Sequence, residues 1–71
     1  MPKPRDLTML KADSHKFLIA MATAEMEPIK ISKVSGVQQN IVYAARKGCY
    51  VKPIYIGKIA KVLGVPVTDL I

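Results

Sequence analysis

Apolar positions along this 71-residue chain recur at three- and four-residue intervals between Gly and Pro breaks, so the pattern predicts helices throughout. Leu7, Leu10, Phe17, Leu18, Met21 and Ala24 outline a first helix ending near Glu25. Asp6 is a candidate cap for a start at Leu7, and Asp13 or Ser14 for a start nearer Lys16. Glu27-Pro28 fits a second helix start, because Pro is tolerated in the first turn. Ile31 and Val34 are its expected buried side, with Lys30 and Lys33 pointing outward. A third helix is expected from about Gln39 to Lys47, with Val42 and Ala45 inward, Gln39, Asn40, Tyr43 and Ala44 outward, and Gly48 ending it. From Pro53 a fourth follows, with Ile56, Ile59, Ala60 and Leu63 at ideal helical spacing and Gly64 as the stop. After Val65-Pro66, the run from Val67 to Ile71 reads as the start of a fifth. No segment shows sustained strand alternation, and there is no internal repeat. The expected fold class is therefore all-α, a compact bundle of about five short helices. Residues 1 to 5 hold two prolines and two cations, which suits a flexible arm, and residues 6 to 71 form one domain.

Composition sharpens this picture without changing it. Hydrophobic content is 51%, ample for one core, but four aromatics and no Trp mean that the core is built mainly from Ile, Val, Leu, Met and Ala. Cys49 is the only cysteine, so no internal disulfide forms and a reducing, cytoplasmic setting is expected. The apolar stretch from Phe17 to Ala24 is too short to span a bilayer. Met9, Met21 and Met26 read as core filler.

Charge is more telling than composition. The net charge is +6, yet residues 1 to 27 sum to zero, while residues 28 to 71 carry seven cations against Asp69 alone. A surface facing phosphates needs such a bias, since each neutralised phosphate releases condensed counterions. Catalysis finds no support: His15 is the sole histidine, no Cys or second His offers metal-ligand spacing, and Glu25 and Glu27 make no convincing carboxylate pair. Neither an enzyme nor a cofactor is expected.

The stretch from Ile31 to Tyr43 holds a short amphipathic helix, a glycine turn and a second helix in close order, which is helix-turn-helix grammar over residues 28 to 47. Gly36 sits where the turn needs positive φ, and Val37 can drop between the helices. Gln38, Gln39 and Asn40 then open the second helix. Their paired donors and acceptors match the major-groove edge of adenine. Double-stranded DNA is the expected partner.

Ile31-Ser32-Lys33-Val34-Ser35-Gly36-Val37-Gln38-Gln39-Asn40-Ile41-Val42 through Gly48, followed by Lys52-Pro53 and Ile59-Ala60-Lys61-Val62-Leu63-Gly64-Val65, resembles the lambda repressor-like DNA-binding domains of the Cro, phage repressor and Xre type. The resemblance covers about residues 14 to 71. It implies a bundle whose third helix lies in the major groove, often in dimers on pseudo-palindromic operators, and a nucleoid-associated transcriptional regulator. By position it implies base contacts from Gln38, Gln39 and Asn40, with Ala44 one turn later, and phosphate contacts from Lys33, Lys47 and Lys52; Lys30 joins them as an outward cation. The chain departs from the family pattern at several points. Ser32 replaces a small Ala, Pro28 replaces a polar phosphate clamp, and Gln38 replaces a better-capping Ser or Thr. Ile41 and Tyr43 make the exposed side of helix 3 apolar, and Ala44 cannot hydrogen-bond to a base. A second expectation follows: an antirepressor or modulator that docks on a repressor protein through Ile41, Tyr43, Ala44 and Val37.

Overall fold

The computed structural model describes residues 9 to 71. The proposed arm at 1 to 5, the candidate cap Asp6 and Leu7 lie outside the described residues. Four α-helices account for most of the rest: α1 (Ser14–Ala24), α2 (Pro28–Ser35), α3 (Gln39–Lys47) and α4 (Pro53–Leu63). A 3-10 turn, Val67–Asp69, stands where a fifth helix was expected.

The first helix begins later than the full run of apolar positions suggested. Asp13 is its N-cap and accepts the backbone N–H of Lys16 at 3.0 Å. That bond is the main reason its carboxyl is held below the ordinary carboxylate range; a bond from the His15 amide and the nearby positive charges add to it. Ahead of the cap the backbone is extended. Leu10–Lys11 forms β1 and Tyr50–Val51 forms β2, paired antiparallel with Leu10 opposite Val51 and Lys11 opposite Tyr50. The helical bundle thus carries a short two-stranded sheet, and Leu10 is a strand residue rather than part of α1. Two-residue strands are too short to show the alternation that betrays a strand in sequence.

The helix boundaries in the second half follow local chemistry. Pro28 and Pro53 occupy the first turns of α2 and α4, and Gly36, Gly48 and Gly64 take left-handed conformations at the C-caps of α2, α3 and α4. At Gly48, the Cys49 N–H donates to the Ala44 carbonyl at 2.9 Å and the Gly48 N–H to the Ala45 carbonyl at 3.1 Å, so two of the terminal carbonyls of α3 are satisfied by the turn itself.

Around one core the helices enclose Phe17, Ile31, Ile56, Ile59, Leu70 and Val42 as the largest fully buried side chains, joined by Val37, Ala45, Val51, Ala60 and Leu63. Each of the larger side chains contributes about 1.5–3 kcal/mol of transfer free energy. No polar or charged residue is buried among those described. Two expected core positions lie outside it: Leu18 is 49% exposed and Val34 is 56% exposed. On α2 the buried direction is set by Ile31 alone, with Pro28, Ser32 and Ser35 half-buried beside it, which rotates Val34 towards solvent. On α1, Phe17 and Ala20 face inward and carry Leu18 round to the outer side. No helix among the described residues is long and apolar enough to cross a membrane.

Candidate nucleic-acid interface

Helix α2 packs against α3 and α4, and the α2–α3 connection is fixed by more than its glycine. Gly36 has φ 78° and donates its N–H to the Ser32 carbonyl at 2.9 Å. The Ser32 hydroxyl donates to the Val37 carbonyl, and the Val37 N–H donates to the Ser35 hydroxyl oxygen at 3.2 Å. Val37 itself is 2% exposed and fills the angle between the helices. Two serines therefore staple the turn from either side. Ser32, which looked in the sequence like a mild replacement for Ala, has a defined role: its hydroxyl satisfies a carbonyl that the turn would otherwise leave unpaired.

This turn delivers α3 with Gln38 as its N-cap residue in an extended conformation. The Gln38 side chain makes no capping hydrogen bond, as expected of a long amide in a position that favours short side chains. Gln38, Gln39 and Asn40 are all exposed, and none is hydrogen-bonded through its side chain among the described residues. Along α3, Asn40, Tyr43, Ala44 and Lys47 follow i, i+3, i+4, i+7; Asn40 and Lys47 at the ends of this row are exposed, with Gln39 at its shoulder, and Tyr43 and Ala44 between them are half-buried. The opposite stripe is Val42 and Ala45, both fully buried.

The apolar members of α3 are less available than the sequence suggested. Ile41 and Ala44 are half-buried and pack against the core, so neither projects freely from the helix. Tyr43 is half-buried as well, and the Arg46 guanidinium lies over its ring at 5.6 Å. Arg46 and Tyr43 line a hollow with Met21, Glu27, Pro28 and Ile29, at the start of α2. The Arg46 Nε is buried there with no hydrogen-bond partner. In the sequence alone, Arg46 is one cation among seven in the second half. Its i, i+3 spacing from Tyr43 was the available signal for the stacking.

Lys30, Lys33, Lys47 and Lys52 are all exposed. Lys30 and Lys33 lie on α2, Lys47 in the last turn of α3, and Lys52 at the N-cap of α4. Three elements thus carry the cations, while α3 alone carries the exposed amides. No group of three His, Cys, Asp or Glu side chains among the described residues is placed to hold a metal ion. Comparison with protein-family models, curated proteins and solved structures gives no match.

Proposed function

We propose that this chain is a sequence-specific DNA-binding regulator of the lambda repressor-like type, a small Cro- or phage-repressor-like protein that lays α3 in the major groove. The observation that carries the proposal is the exposed amide cluster of Gln38, Gln39 and Asn40 at the leading end of a helix seated in the core through Val42 and Ala45 and entered through a serine-stapled turn. Free amides at that place suit paired contacts to adenine, each good pair discriminating by about 1–3 kcal/mol. Lys30, Lys33, Lys47 and Lys52 would supply the sequence-independent part of the affinity through phosphates. Four such contacts give a log–log salt slope of roughly −3 to −4.

The alternative, docking on a repressor protein, needs a connected apolar patch on α3. Val37 is buried and Ile41 and Ala44 pack against the core, which leaves Tyr43 as the main apolar contact and favours the DNA reading.

The test is retention of pooled genomic fragments by the purified protein at low and physiological salt, followed by sequencing. One enriched motif, with affinity falling as salt rises, is the expected result. A folded sample that retains no fragment at either salt would overturn the proposal.

A further inference from the structure

Between the C-terminal end of α2 and the outer side of α4 lies a hollow of about 540 Å³, lined by Val34, Ser35, Lys58, Lys61 and Val62. Its apolar base is Val34, 56% exposed, with Val62 half-buried beside it. On α4, Ile54 stands in line with Lys58 and Lys61 at i, i+4, i+7, and at 60% exposure it extends the apolar part of this face towards the start of the helix. Lys58 and Lys61 are exposed one turn apart, so their ammonium groups repel each other. No carboxylate lines the hollow, and neither lysine has an ion-pair partner among the described residues. The fold itself uses neither the charge nor the apolar base. Exposed aliphatic side chains rimmed by polar ones ordinarily mark a contact site.

We infer that this hollow is the docking site for an acidic amphipathic helix of a partner protein, which lays aliphatic side chains on Val34 and Val62 and sets carboxylates against Lys58 and Lys61. Charge complementarity selects the occupant, because the hollow offers two cations and no anion. A helix suits walls that are themselves helices, and carboxylates three or four residues apart on its surface match the spacing of Lys58 and Lys61. Nucleic acid would satisfy the lysines through its phosphates but would leave Val34 and Val62 facing charged oxygens. A second copy of the chain would bring its own cations, since residues 28 to 71 hold seven against Asp69 alone. None of the lining residues belongs to α3, so the inference stands apart from the DNA reading.

The experiment is fluorescence anisotropy of the full chain at physiological salt with a labelled synthetic helical peptide that repeats Leu at i, i+3, i+4, i+7 and carries Glu on both flanks. Two control peptides have every Glu replaced by Gln, or every Leu by Ser. Wild type should bind the first peptide and lose about tenfold or more on each control. Lys58→Glu combined with Lys61→Glu should cost at least about tenfold, because both contacts become repulsive. Val34→Ser changes no charge and should cost about fivefold through lost apolar contact. Lys47→Glu, on α3 and outside the hollow, should stay within about twofold, since exposed charges away from the contact are largely screened. All these side chains are exposed, so the helical circular dichroism spectrum should be unchanged throughout. A wild-type chain that does not bind the first peptide would overturn the inference, as would an affinity that Val34→Ser leaves unchanged or that Lys47→Glu lowers as far as the double variant does. Retention of DNA fragments by Val34→Ser should equal that of wild type; a loss would set the hollow against nucleic acid and overturn the inference as well.

Discussion

Gly36 and Gly57 make a controlled pair, since a Cβ added at either meets no atom within 4 Å. Packing therefore contributes little to Gly36→Ala or Gly57→Ala, and the backbone decides both. At Gly36, φ is 78°, where an L-residue with a Cβ loses about 1–2 kcal/mol. The smaller conformational freedom of Ala in the unfolded chain offsets about 0.4–1 kcal/mol of that, leaving a net destabilisation of about 1 kcal/mol. Gly57 lies inside α4, and exchanging an interior helical Gly for Ala stabilises by about 0.5–1 kcal/mol. For a domain of this size, 1 kcal/mol moves Tm by about 4–8 °C. Calorimetry of the two variants beside wild type should show shifts of opposite sign and similar size. Shifts in the same direction would refute the claim that the α2–α3 turn is specified by backbone conformation rather than by space.

Other consequences can be measured with equal directness. Phe17→Ala should cost about 3–5 kcal/mol in urea unfolding, a large part of the total expected for a small domain, whereas Leu18→Ala on the next residue should cost under 1 kcal/mol. The Asp13 carboxyl titrates below its ordinary value, so its contribution is complete above that value and is lost as pH falls through the lowered one. Urea midpoints taken down the acid range should therefore fall less steeply for Asp13→Asn than for wild type. Gln39→Ala combined with Asn40→Ala should reduce preference for the selected DNA motif while leaving weak non-specific binding nearly intact; equal loss on all sequences would contradict a base-reading role. Lys33→Ala should instead weaken binding to every sequence alike and lower the salt slope by about 0.9.

Where the chain punctuates itself, its local structure can be read directly from sequence. Pro28, Gly36, Gly48, Pro53 and Gly64 bracket three helices, because each acts on its own backbone without help from distant residues. Inward positions were legible where two or more apolar residues repeat, as Val42 with Ala45, or Ile56 with Ile59, Ala60 and Leu63. Val34 shows the limit: α2 is short, one buried Ile31 sets its rotation, and a single apolar neighbour cannot report which way the helix leans. Leu10 pairs as a strand with Val51, forty-one positions away, and nothing near Leu10 encodes that pairing. Ser32 and Ser35 carry no periodic signal, so their grip on Val37 becomes visible only when the turn has a shape. Within the candidate interface, the exposure of Gln38, Gln39 and Asn40 was legible, whereas the retreat of Ile41 and Ala44 towards the core depended on how α3 seats against its neighbours.

The Asp13 N–H donates to the Leu70 carbonyl at 2.6 Å, and the Leu70 side chain is fully buried. Nearly the whole domain lies between those two residues in sequence. During synthesis, α2, its turn and α3 have all their partners for local pairing early, but the floor of the core stays open until Leu70 has emerged. A ribosome-bound chain halted before that residue would expose Phe17 and its neighbours to chaperones and proteases. The arrival of Leu70, rather than formation of the helices, is then the event that commits this domain to its native state.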